Sequence, residues 1–549
     1  MKQSYRFIVS LLGLFLWPIS AHSQVTGASV PEQSVSVVLH VNNRSPQASD
    51  ANPGTVDLPL KTLSKATELA WIKNRRNVGV KVSIAPGTFR EMVDVWQETD
   101  APIVFEAQQM GTVAIAGSDV WTGWKQQGTS NIYTHAWPYD WALSDVPSDW
   151  RSDAVAAKAF TPIVRKREMI VVAGKFLKQV LSYAELSAGS FYADDTKDTV
   201  YMQPPVGLVV TPTTITEVAV RPVVLKALQK KNLVLRGIIF KHANSPFNTS
   251  AVEIGSSANV LIEDCQFIWN NAGGLSLGNS QQVTVRRSRA DFNGSTGMGA
   301  AFGKNFLFEE TQTSYNNWRG VMGDYTGWSV AGLKHLFIHG AEYRRHKAEK
   351  NHAPGFWLDS DSTDIVVDGA FFHDNLIFGT FIEANQGPIA VRNSIVCHNR
   401  GPGFLINNSK RVTLESNVIY ANKRAQILME GSPIEGRPMK NWESGEQMTL
   451  LSEQGTFRDN DIVANTVGQL LIELNLGGAS SQSWKAFMQS LTVGKNIWHH
   501  PASPKPFRVF GWSAEVTNLD FNEWRTLTGQ ELDSVFTNPQ FRSPDGHHF

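Results

Sequence analysis

The chain has little cysteine, no net charge and, past its first two dozen residues, no long apolar run. Two cysteines in 549 residues, Cys265 and Cys397, exclude the disulfide framework of a small secreted scaffold. They fall on well-separated repeats, so two separate core thiols are expected rather than a bridge. Fifty Lys and Arg offset fifty Asp and Glu. That balance leaves no strong field for nucleic acid or another polyanion. No stretch beyond the leader is long and apolar enough to cross a membrane. Helical periodicity is missing from the central repeat region.

Met1-Lys2-Gln3-Ser4-Tyr5-Arg6 precedes an apolar run from Phe7 to Ile19, followed by Ala21-His22-Ser23. A positive start, a short apolar run and a small-x-small site predict a signal peptide over residues 1–23. The mature protein is then expected to be secreted or periplasmic and free of a membrane span. The ~525 residues that remain exceed the usual size of one core, which points to several domains or to a repeat that grows along one axis.

A repeat decides between these. Asn is followed four residues later by Gly at Asn270/Gly274, Asn293/Gly297, Asn316/Gly320, Asn351/Gly355, Asn375/Gly379 and Asn399/Gly403. Asn422 continues the series with Gln426 in the glycine place. Successive Asn spacings are 23, 23, 35, 24, 24 and 23. β-rich stretches such as 259–263, 282–286, 364–368 and 411–415 precede the Asn residues. Units of this length, built of short strands and tight turns, predict an all-β parallel β-helix with one coil per repeat. Stacked coils would make the Asn side chains an internal, structural ladder. The long spacing from Asn316 to Asn351 marks an excursion near Trp318–Trp328, a natural binding loop of a solenoid.

The flanking parts read differently. Leu60 to Ile72 has helical spacing, with Thr62 or Ser64 as cap, and would plug the open end of the solenoid. The expected layout is a capping helix and first coils over 24–116, an inserted antiparallel β module over 117–225, the main coils over 226–484, and C-terminal coils and tail over 485–549.

The repeat register also predicts a site. In Gly355-Phe-Trp-Leu-Asp359, an inward Leu358 turns Trp357, Asp359 and Asp361 outward. Adding 24 aligns Ile382 with Leu358 and Glu383 with Asp359. Neighbouring strands lie about 4.8 Å apart, so the two carboxyl groups are expected roughly 5–6 Å apart. Retaining glycosidases use about 5–5.5 Å and inverting ones about 6.5–9.5 Å. Two like charges side by side are destabilising and drive their pKa values apart, which suits an acid and a nucleophile. The same register places Lys334 and Asn407 beside the pair. Trp357, Trp328 and Trp318 are candidate sugar platforms, with Arg319 beside them in the excursion. The chemistry expected is retaining hydrolysis of a plant or algal glycan, needing no cofactor. Two other readings stay open. One is a uronate lyase or epimerase, with Lys334 as base and Ca2+ held by Asp359, Asp361 and Asp364. The other is a carbohydrate-binding β-helix without catalysis. The partner expected in each case is a carbohydrate; the oligomeric state is not legible.

Gly355-Phe-Trp-Leu-Asp359, Phe381-Ile-Glu383 and Gly387-Pro388 resemble the active-site stretch of glycoside hydrolase family 120, the β-xylosidases. Gly87-Thr-Phe-Arg-Glu91, Ala116-Gly-Ser-Asp119 and Gly123-Trp124 are similar to that family's N-terminal layout. The resemblance implies a right-handed parallel β-helix of the pectate-lyase-like type with an inserted antiparallel β-sandwich-like module. It also implies retention, with Asp359 as nucleophile and Glu383 as general acid/base. One departure stands out. Where the family carries a glutamate before its Ala-Gly-Ile-Lys segment, this chain has Ser329, in Trp328-Ser-Val-Ala-Gly-Leu-Lys334. That difference bears on the sugar accepted more than on hydrolysis itself.

Overall fold

The computed structural model describes residues 25–96, 99–146, 158–432, 434–511 and 515–539. The expected signal peptide lies outside these residues. Among them, no helix is long and apolar enough to cross a membrane.

Each coil of the main body contributes three short strands, and coils pair with one another in parallel. One face runs through Gly273–Gly278, Leu333 and its neighbours, Phe356–Asp359, Thr380–Glu383, Phe404–Asn407 and Ala425–Glu430. A second runs through Gln281–Arg286, Thr363–Asp368, Ile389–Arg392 and Val412–Glu415. The third is a separate 13-stranded sheet that includes Phe371–His373, Ile395–Cys397 and Val418–Tyr420. Inward residues alternate along each strand and form one continuous core, with Phe356, Leu358, Ile365, Val367, Phe372 and Ile382 fully buried. Cys265 and Cys397 are buried free thiols.

The Asn-Gly repeat has a direct steric cause. Each Asn Nδ2 donates to the Oδ1 of the Asn one coil on, from Asn270→Asn293 at 3.0 Å through Asn399→Asn422 at 2.8 Å. Gln426 ends the ladder by accepting from Asn422 Nδ2 at 2.9 Å, so it serves as a ladder terminus and not as a glycine substitute. The glycine of one coil lies over the Asn of the next. A Cβ on Gly355 would come within 2.5 Å of Asn375 Nδ2, and one on Gly379 within 2.7 Å of Asn399 Nδ2. After Asn316 the slot is filled by Gly332, not Gly320: a Cβ on Gly297 would meet both the Gly332 carbonyl and Asn316 Nδ2. Gly320 instead belongs to a short helix, Trp318–Gly323, inside the excursion.

A second ladder has no regular spacing in the sequence. Asn417 Nδ2 donates to Asn460 Oδ1, and Asn460 Nδ2 to Asn496 Oδ1, each at 3.1 Å. Its steps are 43 and 36 residues, because long excursions interrupt these coils.

At the N-terminal end the helix Leu63–Asn74 is capped by the Thr62 hydroxyl, which accepts from Lys65 N. It buries Leu63, Ala66 and Ala70 against the first coils. The fully buried Lys230 ammonium ties that end down through Asn74 Oδ1 and the Thr99 and Ala101 carbonyls. Between the early and main coils, residues from Ser118 to Ala219 form two small, mainly antiparallel sheets of four and five strands. They enclose their own core around Trp137, Phe191, Val200 and Met202.

Asn375 has four side-chain bonds: two from Asn351 to its Oδ1, and two from its Nδ2 to Asn399 Oδ1 and the Ala348 carbonyl. Replacing it with Ala leaves the Asn351 N–H and the Ala348 carbonyl buried without these partners. At about 1–3 kcal/mol for each unsatisfied group, Asn375→Ala is expected to lower unfolding stability by at least about 2 kcal/mol in urea titration.

Candidate active site

On the strand Phe356–Asp359, Phe356 and Leu358 point into the core, so Trp357 and Asp359 point out. The next strand, Thr380–Glu383, pairs with it so that Phe381 opposes Trp357 and Glu383 opposes Asp359. Lys334 opposes Trp357 from the other side, and Asn407 opposes Glu383. These are the neighbours that the coil spacing specifies. Asp359 and Glu383 are thus adjacent along the outer face, with side chains 13% and 17% exposed.

Their contacts form one chain of charges and donors. Lys334 Nζ lies 3.0 Å from Asp359 Oδ2 and 3.3 Å above the centre of the Trp357 ring. The Ser360 hydroxyl donates to Asp359 Oδ1 at 2.9 Å. Trp357 Nε1–H donates to Glu383 Oε2 at 3.2 Å, and the Arg437 guanidinium donates to Glu383 Oε1. Burial and the adjacent Asp359 charge push the Glu383 carboxyl above the ordinary glutamate range, against the opposing pull of Arg437 and Lys334. A carboxyl held high beside a second carboxylate is the arrangement that separates a proton donor from its partner. Beside Lys334 lies a cavity of about 160 Å³, lined by Ser276, Gly299, Ala301, Ser329 and Leu336 among others.

The family of right-handed β-helix regions matches residues 235–419 and 338–482. A solved structure described as the complex of XylC with xylose matches with a TM-score of 0.65 at 14% identity, covering 92% of this chain and 87% of that one. The A-module of mannuronan C-5 epimerase AlgE6 from Azotobacter vinelandii matches with a TM-score of 0.50 at 12% identity, covering 87% of this chain and 95% of that one. No curated protein sequence matches. The fold is a right-handed parallel β-helix. At these identities the likeness is one of fold.

Within that β-helix, several expected ligand-binding side chains make contacts inside the protein. Trp357 is flanked by the Lys334 ammonium and by Phe381, whose ring stacks at 5.0 Å and 28°. Its faces are taken, and its indole N–H holds Glu383. Asp361 does not face outward. Ser360 and Asp361 are both left-handed, with φ of 39° and 51°, which breaks the strand alternation after Asp359. The Asp361 side chain is fully buried and accepts from Gln386 Nε2 and the Trp442 backbone N–H. Asp364 is exposed. Among the described residues no three His, Cys, Asp or Glu side chains are grouped to hold a metal ion, and Asp359, Asp361 and Asp364 are not brought together. Asn407 flanks the pair as expected, its amide donating to Glu430 Oε1 at 3.0 Å.

The excursion at 318–328 packs on the inserted module. Arg319 is fully buried and donates to Asn271 Oδ1, Gln179 Oε1 and the Glu168 carbonyl. Trp318 packs on Phe176 of the module, and its indole donates to the Phe292 carbonyl. Trp328 packs against the cluster of Phe160, Val164, Tyr325, Val330 and Ala353. A loop rich in aromatic residues served a domain junction here, because the module presents an apolar face to it.

The sequence reading missed Arg437. It comes from a hairpin, Arg437–Lys440 paired with Gln447–Leu450, that leaves the solenoid after Glu430 and folds back along it. The Trp442 ring rests against His339 at 5.0 Å and under the Lys304 ammonium at 5.4 Å. Glu443 pairs with both Lys304 and His339. No repeat marks this segment. The available signal was a pair of glycines, Gly436 and Gly445, with φ of 93° and 75° at its turns.

If Arg319 is a junction residue, Arg319→Met strands Gln179 and the Glu168 carbonyl in a dry interface. The expected cost is about 3 kcal/mol, with faster limited proteolysis of the 118–219 segment and no change in the contacts of Asp359 and Glu383.

Proposed function

We propose that this protein is a glycan-acting enzyme, a retaining glycoside hydrolase with Asp359 as nucleophile and Glu383 as general acid/base. The reading rests on one observation: two outward carboxylates stand in register on adjacent parallel strands, each held by its own donors. Strands about 4.8 Å apart bring such carboxyl groups near the ~5–5.5 Å that double displacement uses. In the first step an Asp359 oxygen attacks the anomeric carbon as Glu383 passes its proton to the departing glycosidic oxygen. In the second, water attacks that carbon, gives a proton to Glu383, and frees Asp359. Lys334, beside Asp359 Oδ2, orients the nucleophile and borders the small polar cavity in which a sugar would lie.

The shared fold with a protein solved with xylose, and the resemblance of Gly355–Asp359 and Phe381–Glu383 to the β-xylosidases, make pentosides and plant or algal oligosaccharides the first substrates to screen. Ser329, which lines the cavity, is the residue by which the accepted sugar would differ from xylose. The likeness to an epimerase module keeps uronate chemistry as the comparison. The geometry favours it less: the Lys334 ammonium is paired with Asp359 and laid on Trp357, and among the described residues no three acidic side chains are grouped to hold calcium. Residues 1–23 place the enzyme outside the cytoplasm in this proposal.

On a cleaved aryl glycoside, Asp359→Asn and Glu383→Gln are each expected to lower kcat by about 10² to 10⁴ or more without loss of fold by circular dichroism. The first sugar product, followed by proton NMR, keeps the anomeric configuration of the substrate. Full activity in either variant, or an inverted product, rules the assignment out.

A further inference from the structure

Glu383 has both oxygens occupied. Trp357 Nε1–H donates to Oε2 and the Arg437 guanidinium to Oε1. Both partners are donors only; neither can accept a proton from a carboxylic acid. Arg437 draws Glu383 toward the carboxylate, against the burial and the Asp359 charge that raise its pKa, whereas the first step needs Glu383 with a proton directed at the glycosidic oxygen. One donor has to yield. Trp357 is fixed within the sheet between Lys334 and Phe381 and is 9% exposed. Arg437 stands on the hairpin, outside the solenoid, with its side chain 36% exposed.

We propose that Arg437 is a positioning residue that clamps Glu383 as a carboxylate in the free enzyme and gives up Oε1 to the oxygen of the leaving group. This rests on the hydrolase reading above and adds a residue and a step to it. When the glycosidic oxygen takes Arg437's place, Glu383 takes a proton from solvent. That proton passes to the leaving oxygen as the bond from the anomeric carbon breaks, and the bond to Asp359 forms. The groups that face Glu383 are few. Asp359 and Trp357 come from the preceding strand, Lys334 from the one before it, Asn407 from the following strand, and Arg437 from the hairpin. The next carboxylate along the face, Glu430, is held by the Asn407 amide. Among the described residues Arg437 is the cation bonded to Glu383, while Lys334 is paired with Asp359, so removal of Arg437 acts on one carboxyl. The hairpin keeps its other anchors, the Trp442 N–H on Asp361 and Glu443 on Lys304 and His339. Loss of the Arg437 charge alone therefore leaves it docked.

The test reads Glu383 directly. Water-soluble carbodiimide with an amine probe modifies protonated carboxyl groups, and peptide mass spectrometry reports the extent at Glu383 against pH. An opposite charge in contact lowers a carboxyl pKa by about 1–3 units. Arg437→Gln is thus expected to raise the labelling midpoint by about one pH unit or more, and Arg437→Lys to keep it near that of the native protein. With a cleaved aryl glycoside, the alkaline limb of kcat/KM moves upward by the same amount in Arg437→Gln, since that limb follows the free enzyme's acid. A midpoint that stays in place in Arg437→Gln overturns the clamp. So does an equal rise in both variants, which would trace the effect to hairpin displacement rather than charge. A shifted midpoint in a protein that cleaves no glycoside upholds the clamp and rejects the hydrolase reading.

Discussion

Parallel pairing between successive coils is the constraint on which the rest of the molecule depends. It fixes a strand spacing of about 4.8 Å and sets residues one coil apart directly beside one another. Within the solenoid that spacing lets each Asn amide bond the next and obliges the residue above it to be glycine. Outside, the same spacing sets Asp359 against Glu383 and Lys334 against Trp357. The inner ladder holds the register, and the register makes the outer pair. A slip of one residue would turn Asp359 into the core and Leu358 into water.

The cost of two adjacent carboxylates is met locally by donors of different origin. Lys334 and Ser360 serve Asp359; Trp357 and Arg437 serve Glu383. Three of these belong to the coils and are as fixed as the sheet. Arg437 belongs to an appended hairpin. Asp359 is thus held by coil residues alone, whereas Glu383 is held by one coil residue and one from the hairpin.

Where the spacing is regular, the residues alone were enough. All but one step of the Asn ladder, the inward Leu358 and Ile382, and the pairing of Asp359 with Glu383 follow from repeats of 23 and 24 residues. Legibility ended where chain left the repeat. Asn417, Asn460 and Asn496 form a ladder with unequal steps, and Arg437 reaches the site from a segment without periodicity. The contacts of Trp318, Trp328 and Arg319 with the inserted module were not legible, because those partners are distant in sequence. Alternation misled at Asp361, where two left-handed residues turned an outward position inward. Strand alternation predicts direction only while the strand lasts.

The central claim is that Asp359 forms the covalent bond to sugar. A panel of 2-deoxy-2-fluoro glycosides with good leaving groups, pentosides first, tests it most directly. Such reagents slow the second step more than the first, and fragmentation of the labelled peptide locates the sugar. The account predicts a single glycosyl adduct on Asp359, formed with loss of activity and absent in Asp359→Asn. An adduct on Glu383 would reverse the roles. A protein that cleaves its glycan yet accumulates no adduct, and releases an unsaturated uronate instead, would contradict the account.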